Sequence, residues 1–293
     1  MKRYHTHVAG IIPIANLHTD HKLNFPSCML PIDNGFMAIQ KSVFECAMAG
    51  CRTIWIVANQ DMAPIIRKTV GEWVYDPVYY KRDRIRNYEK IRKEVPIYYV
   101  PINERDRNKR DSYGWSALHG MYSSWWVANK LSKWLTPEKY FVSFPMGVYD
   151  VNMIREHRIS IANPKKNFFL TYNGLNVKSN LPLSFAMTGN DYLLCRRNVN
   201  KLTTREYLPP EEGEKYPSKK LPLHERWSAR NFDFKTVFDK ADETSSEKIK
   251  LDWFYDISYW ENYIEFVSSE NVVNKPLDDL IKPRIHCKML SKE

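Results

Sequence analysis

The sequence predicts an α/β protein with an open, mostly parallel central sheet, because two strand-like apolar runs enclose a helical pattern. Residues 8–14 and 53–58 are continuous apolar runs of strand length, as expected for strands that are covered on both faces. Between them, apolar residues recur at helical spacing from Phe36 to Met48, and Gly50 follows at the position of a C-terminal cap. A strand, a helix and a second strand in this order form a parallel βαβ unit, whose site lies at the carboxyl ends of its strands.

The alternation of strands and helices continues along the chain and supports a sheet with helices on both faces. The dipeptide Asn173-Gly174 indicates a hairpin turn, with Val177 beginning the return strand. The further predicted strands are 95–102, 140–144, 167–172 and 249–254, and the further predicted helices are 115–131, 151–157, 232–240 and 260–266.

Length and composition are typical of a soluble protein with a packed core. We expect a single domain over residues 1–293, with an exposed, charged, proline-rich loop at 205–225 and a C-terminal tail at 269–293. Five cysteines, an odd number without CxxC spacing, argue against a disulfide framework and against a zinc knuckle, and they favour a cytoplasmic location. No run of eighteen apolar residues occurs, so we expect no membrane segment. The net charge of +10 favours anionic partners.

Four segments resemble motifs of the sugar-nucleotide pyrophosphorylases, in the same order. They are "MLPIDNGFMAIQKSVFECAMAGCRTIWIVAN", "SYGWSALHG", "KYFVSFPMGVYDVNMI" and "DWFYDISYWENYIEF", and the resemblance covers residues 7–268. It implies a Rossmann-like, GT-A-type nucleotidyltransferase fold and transfer of a nucleotidyl group to a sugar phosphate. The strings "FPMGVYD" and "LTYNG" also resemble a variant carried by marine T4-like tailed phages, which would place the protein in the host cytoplasm.

The phosphate loop of that family, Gly-x-Gly-Thr-Arg, corresponds here to residues 11–17. Gly10 is the glycine that persists as a predicted cofactor-binding residue, and Pro13 removes a backbone donor. The lysine that precedes the family's Leu-Pro-Ile anchor falls at Ser27, which leaves Lys22 as the nearest substitute. The sequence therefore predicts a divergent phosphate site.

The metal positions of the family are partly retained. The Gly-Asp pair of the first position is replaced by Pro145-Met146, and a thioether is no ligand for Mg²⁺. Asp150 follows four residues later as a candidate replacement, and Asp256 stands at the second position. The resemblance thus implies Asp256 and Asp150 as catalytic and metal-binding residues, with Mg²⁺ as the cofactor.

The predicted base pocket is centred on Gly114, where a missing Cβ lets a base approach the backbone and Trp115 or Tyr113 stack on it. The alternative is that Gly114 only begins a helix and the aromatic residues belong to the core. The other predicted cofactor-binding residues are cations that can neutralise phosphates, namely Arg107, Lys109, Arg110 and Lys178.

A second polar group lies after the first strand. His18, Asp20 and His21 have a spacing that fits either a polar turn, which we favour, or a metal site.

Two functions remain open at the level of the sequence. One is a nucleotidyltransferase that acts on a sugar phosphate. The other is a non-catalytic binding or structural protein with the same fold, and one form of this second hypothesis places it within a phage particle. The predicted partner is a nucleotide or sugar nucleotide, nucleic acid is less favoured, and the sequence leaves the oligomeric state undefined.

Overall fold

An eight-stranded sheet forms the centre of the part of the molecule described by the computed structural model, residues 6–15, 17, 19–78, 93–103, 112–203, 207–222 and 232–274. The strands are β1 (Val8–Pro13), β2 (Pro31–Asp33), β3 (Phe36–Met37), β4 (Thr53–Asn59), β5 (Trp73–Tyr75), β6 (Glu94–Ile102), β7 (Lys139–Val142), β8 (Gly147–Val148), β9 (Phe168–Thr171), β10 (Phe185–Thr188), β11 (Glu247–Lys250) and β12 (Tyr255–Asp256). The α-helices are α1 (Ala38–Ala49), α2 (Ala63–Val70), α3 (Tyr113–Leu131), α4 (Asn152–Glu156), α5 (Arg158–Ile161), α6 (Gly189–Thr203), α7 (Phe234–Phe238) and α8 (Trp260–Ser268).

The large sheet is mostly parallel, which confirms the predicted fold class. Its strand order is β11-β9-β10-β7-β1-β4-β6-β5. Strands β1, β4, β6, β7, β9 and β11 run in one direction, whereas β5 and β10 are antiparallel to their neighbours. Strands β8 and β12 form a separate antiparallel ribbon.

Two apolar layers cover the sheet, one on each face. Successive residues of β1 contribute side chains to opposite layers. Ile12 packs in the layer that contains α1, and Ile11 packs in the layer that contains α3 and α7. Both isoleucines are fully buried, as a strand in the middle of a doubly covered sheet requires.

Helix α1 confirms the first predicted helix and its cap. The side chain of Gln40 accepts a hydrogen bond from Met37 N at 2.9 Å, which satisfies a free donor at the start of the helix. Gly50 ends the helix with φ of 88°, a left-handed conformation that favours glycine. Cys46 and Cys51, at the same end, are fully buried, as small apolar side chains would be.

The second half of the chain departs from the prediction at the return of the hairpin. The predicted turn is present as a bridge between Tyr172 and Leu175. Val177, however, begins a 3-10 helix, Val177–Ser179, because the Asn176 side chain accepts a hydrogen bond from Lys178 N and starts a helical turn. The strand that returns antiparallel to β9 is β10. The sequence pattern predicted neither β10 nor α6.

The remaining features concern the surface. Between residues 207 and 222 most side chains are exposed, and one isolated bridge joins Tyr207 to Lys220. Among the helices of the described residues, none is both long enough and apolar enough to cross a lipid bilayer.

Candidate functional site

The carboxyl edge of the parallel strands is the candidate site, because several chain segments converge there. Ser143, after β7, donates its N–H to Ile11 O of β1 at 3.0 Å. Leu251, after β11, donates its N–H to Thr171 O of β9 at 2.8 Å. The β8–β12 ribbon follows directly from both segments. In open α/β sheets, ligands bind outside this edge.

The segment after β1 does not form a cradle of free backbone donors over its first two residues. Ile14 N and Ala15 N both donate to Val57 O of β4, at 2.9 and 3.0 Å. Phosphate binding by a loop depends on N–H groups that have no other acceptor. Asn16 and His18 lie outside the described residues. The backbone N–H groups of Ile14 and Ala15 are therefore already paired within the sheet.

Gly10 has a packing role in place of the predicted cofactor-binding role. It lies inside β1, between Ile54 of β4 and Phe141 of β7. A Cβ at this position would lie 2.8 Å from both Cβ and Sγ of Cys46 and 3.2 Å from Sγ of Cys51. The missing side chain thus lets α1 pack closely on the sheet, away from any ligand at the strand ends.

Further along the segment after β1, Asp20 and His21 contact the start of α8. Asp20 accepts a hydrogen bond from Trp260 N at 2.8 Å, and its own N–H donates to Ser258 O at 3.2 Å. The imidazole of His21 is buried and packs edge-on against Trp260, with ring centroids 5.6 Å apart. Asp20 therefore caps a helix N-terminus. This contact favours the polar-turn interpretation of the sequence over a metal site.

Lys22 lies on the exposed part of this segment. It forms no ion pair with another described residue, and it is the predicted cation that remains available at this edge. Arg107, Lys109 and Arg110 lie outside the described residues.

Asp256 occupies the centre of the edge on β12. Its Oδ1 accepts a hydrogen bond from Ser258 N at 3.0 Å. Burial raises the pKa of Asp256 above the ordinary value, against the effect of that hydrogen bond. Burial thus makes the ionised form of the Asp256 carboxyl group less favourable than it is in water.

Tyr113, the first residue of α3, adjoins this carboxyl group. Its hydroxyl is buried and makes no close hydrogen bond to a described residue. Burial, followed by the electrostatic effects of Asp256 and Cys28, raises the pKa of Tyr113 well above the ordinary value, against the effect of the neighbouring backbone of Met146. The Cys28 thiol is itself buried, which raises its pKa to about 12. Burial therefore disfavours the charged form of all three groups.

Sequence reasoning proposed Tyr113 only as a stacking ring, and it missed Cys28. The ring of Tyr113 is instead enclosed by Phe144 and Phe234, each with its centroid 5.2 Å away, so the hydroxyl is the part that faces the site. No sequence pattern indicates that Cys28, Tyr113 and Asp256 lie near one another, because they are far apart in the chain.

Asp150 and Asp256 have different hydrogen-bond partners. In the ribbon, Gly147 lies directly opposite Asp256, and Asp150 follows Gly147 by three residues, after the end of β8. The Asp150 carboxylate accepts hydrogen bonds from Asn152 N at 3.0 Å and from Asn274 Nδ2 at 2.9 Å. The two carboxylates thus share no hydrogen-bond partner, and their joint binding of one metal ion stays a prediction.

The remaining donors do not complete a magnesium site either. The Met146 side chain, at the family's first metal position, is fully buried in the apolar layer. Within the described ranges, no group of three or more His, Cys, Asp or Glu side chains is arranged to hold a metal ion. The residues present therefore do not fit the predicted Mg²⁺.

Gly114 and Trp115 do not form the predicted base pocket. A Cβ on Gly114 would lie 3.0 Å from Cγ2 of Val237 and 3.3 Å from Cδ1 of Phe234, so α7 already fills the space in front of it. Trp115 is 9% exposed and stacks on His119, with ring centroids 4.8 Å apart. The alternative interpretation, in which Gly114 serves a helix start packed in the core, describes this arrangement.

Lys178 has a structural role instead of the predicted cofactor-binding role. Its Nζ donates to the carbonyl oxygens of Asp239 and Ala241, at 3.0 and 3.1 Å, and lies 3.9 Å from Oε2 of Glu243. These acceptors follow the carboxyl end of α7, where a cation is favourable.

Behind the edge lies a polar network that sequence reasoning missed. Lys41 and Glu45 on α1 are both fully buried and form an ion pair of 2.8 Å. Lys41 Nζ also donates to Gly147 O at 2.5 Å, on the residue opposite Asp256. Ser143 and Ser184 donate to Oε2 of Glu45, at 2.5 and 3.1 Å. The signal was a Lys and a Glu four residues apart in an otherwise apolar helix.

The sequence matches no protein-family profile and no curated protein. Its structure is similar to that of a Bacillus anthracis protein described as a glucose-1-phosphate thymidylyltransferase and solved with sucrose, at 8% identity and a TM-score of 0.54, over 88% of this chain and 93% of that one. A UDP-glucose pyrophosphorylase solved with UDP-glucose aligns over 89% of this chain and 97% of its own, at 14% identity and a TM-score of 0.44. The first similarity shows that the chain has a nucleotidyltransferase-like fold.

Proposed function

We propose that the protein binds a nucleotide or sugar nucleotide at the carboxyl edge of its sheet, without a paired-carboxylate magnesium site. The observation that carries the proposal is that Asp256 lies near enough to the buried hydroxyl of Tyr113 to act on it electrostatically, while that hydroxyl makes no close hydrogen bond to a described residue. The fold supports it, since open α/β sheets bind ligands outside the carboxyl ends of their strands.

The two side chains can recognise a phosphorylated ligand through hydrogen bonds. When Asp256 is protonated, it donates a hydrogen bond and does not repel a phosphate. Burial raises the pKa of Asp256, so this form is easier to reach than in water. The Tyr113 hydroxyl can donate to a phosphate or sugar oxygen, which would satisfy a buried polar group. Lys22 supplies a cation from the exposed part of the neighbouring segment.

The test is calorimetric titration with nucleoside mono-, di- and triphosphates and with UDP-, ADP- and dTDP-glucose, each in Mg²⁺ and in EDTA. We expect binding that EDTA leaves unchanged. Asp256→Asn, which stays neutral at every pH and can still donate a hydrogen bond, should bind at pH 7 at least as tightly as the wild type. Asp252→Asn is the matched control, since Asp252 is an exposed aspartate four residues earlier.

Three outcomes decide the proposal. EDTA-insensitive binding that Asp256→Asn retains supports it. Binding that needs Mg²⁺ and disappears in Asp256→Asn contradicts the metal-free site. A titration that is flat for every ligand contradicts nucleotide binding and favours a structural or interaction protein.

Nucleotidyl transfer is the second candidate function, favoured by one observation. Asp256 remains in the ribbon directly opposite Gly147, next to the chain segment that supplies the first metal position in the family. If transfer occurs, a nucleoside triphosphate and a sugar 1-phosphate should release pyrophosphate in the presence of Mg²⁺, and Asp256→Ala should abolish the release. Retention of full activity in Asp256→Ala would remove Asp256 from the reaction.

A further inference from the structure

A cavity of about 250 Å³ lies between α3 and α6, on the face of the sheet that is covered by the layer containing α3 and α7. At about 30 Å³ per water molecule, this volume could hold about eight waters or a small organic ligand. Its lining combines aliphatic side chains, aromatic rings, a cation and an amide. The lining residues are Trp115, Leu118, His119, Tyr122, Arg196, Val199 and Asn200.

The floor and walls of this cavity come from one stripe on each helix. Trp115, Leu118 and Tyr122 follow one another on α3 at spacings of three and four residues, and Val199 faces them from α6. Trp115, Leu118 and Val199 are 9, 3 and 2% exposed, so the floor is fixed by the core. Walls that are largely preformed are typical of small-molecule sites.

The rings of the cavity are already arranged in parallel. Trp115 and His119 stack with an interplanar angle of 15°. A planar ligand ring can extend such a stack, because an aromatic face accepts another ring or a cation with little loss of conformational freedom.

The cationic side of the cavity is Arg196. Its guanidinium carbon lies 3.9 Å above the ring of Tyr122, in a cation–π contact. No carboxylate among the described residues forms an ion pair with Arg196. The buried hydroxyl of Tyr192 lies close enough for the Arg196 charge to oppose the rise that burial causes in the pKa of Tyr192. A half-buried guanidinium whose charge no described carboxylate balances favours an anionic ligand.

We propose that this cavity is a second binding site, separate from the carboxyl edge, for a small ligand that carries an anionic group on a planar ring. The ring stacks against Trp115 and His119, and the anionic group pairs with Arg196. Nucleoside monophosphates and aromatic carboxylates both have this chemistry. The cavity shares no lining residue with the Asp256 and Tyr113 pair, so the two sites can be tested independently.

The test is titration of the full-length protein with AMP and UMP as ring phosphates and with indole-3-acetate and 4-hydroxybenzoate as ring carboxylates. Adenosine, which lacks the anion, and ribose 5-phosphate, which lacks the ring, are the ligand controls. At least one of the four ring anions should bind, and both ligand controls should bind at least tenfold more weakly. Binding of AMP or UMP would show that the natural ligand carries a phosphate, and binding of indole-3-acetate or 4-hydroxybenzoate would show that it carries a carboxylate.

The variants localise the binding. Arg196→Gln should weaken it by tenfold or more. Arg197→Gln should change it less than twofold, because Arg197 is the adjacent exposed arginine of α6 and lies outside the cavity. Asn200→Trp should also block binding by filling the rim from an exposed position, which leaves the buried floor intact.

Four results would overturn the proposal. They are the failure of all four ring anions to bind, binding of ribose 5-phosphate as tight as that of AMP, equal effects of the two arginine variants, and binding that Asn200→Trp leaves unchanged. Tyr113→Phe, which should weaken binding at the carboxyl edge, should leave binding to this cavity unchanged, and a loss there would assign the ligand to the carboxyl edge instead.

Discussion

The ammonium group of Lys41 and the carboxylate of Glu45 form an ion pair of 2.8 Å in which both side chains are entirely shielded from solvent. Lys41 also lies over the ring of Tyr149, 4.7 Å from its centroid, and the Tyr149 hydroxyl donates to Ser184, which donates to Glu45. The pair thus joins α1 to the segments around β8 and β10. It supports the ribbon that carries Asp256 at the candidate site.

Lys41→Met should destabilise the protein by about 3–5 kcal/mol, because it leaves the Glu45 carboxylate buried without a cation. The double variant Lys41→Met/Glu45→Leu should be closer to the wild type than Lys41→Met, since it removes the stranded charge as well. Urea unfolding followed by circular dichroism measures both. A double variant as unstable as the sum of the two single variants would contradict the coupling of the pair.

Asp256→Asn should change stability in a pH-dependent way. Because the pKa of Asp256 is higher in the folded state than in the unfolded state, its contribution to stability is fully present below the unfolded value of about 3.8 and is lost as the pH rises through the folded value. The asparagine variant has no such loss, so it should be more stable than the wild type at pH 7, and the difference should shrink towards pH 4. Denaturation at pH 4, 5, 6 and 7 checks this, with Asp252→Asn as the control, and a variant less stable at pH 7 would disprove it.

Tyr113→Phe separates ligand binding from folding. The hydroxyl of Tyr113 has no partner among the described residues, so its removal should leave the stability of the free protein unchanged or slightly higher. Nucleotide affinity should fall about fivefold to tenfold, the loss of one hydrogen bond of about 1 kcal/mol or slightly more. Calorimetry and thermal unfolding give the two quantities. A large loss of stability with unchanged affinity would show a structural hydroxyl instead.

Lys139 should make folding release a proton near neutral pH. Its Nζ donates to the carbonyl oxygens of Asn163 and Lys166, at 2.7 Å each, and burial lowers the pKa of Lys139 to about 7. A lowered folded pKa means that its contribution to stability is complete above the unfolded value near 10.5 and is lost as the pH falls towards 7. The stability difference between wild type and Lys139→Met should therefore widen in favour of the wild type from pH 7 to pH 9. A difference independent of pH over this range would show that Lys139 stays charged.

Gly10→Ala tests whether this glycine serves packing or a ligand. The added methyl group would lie 2.8 Å from Cβ and Sγ of Cys46, so we expect a destabilisation of about 1–3 kcal/mol from overpacking. Cys46→Ala in the same chain removes Sγ and should recover part of that loss, whereas nucleotide affinity should stay unchanged in both. A Gly10→Ala protein of normal stability and lost affinity would restore the role in cofactor binding.

The sequence by itself determined the elements whose residue types and periodicity are local. The apolar runs predicted β1 and β4, the helical spacing and Gly50 predicted α1 with its cap, and the alternation predicted the mostly parallel sheet. The four motifs led to the nucleotidyltransferase-like fold and to Asp256 as a residue of its carboxyl edge. These inferences depend on neighbours within one element or on their order along the chain.

The tertiary structure decided which element covers each of these residues. Cys46 packs so close to Gly10, and Val237 so close to Gly114, that a side chain at either glycine would be crowded. These neighbours belong to distant segments, and no local pattern distinguishes such a glycine from one that faces a ligand. The contacts of Asp150 with Asn274 and of Lys178 with Asp239 likewise depend on where other segments fold. Periodicity identifies the face on which a side chain lies, but the partner on that face is fixed only when the layers pack.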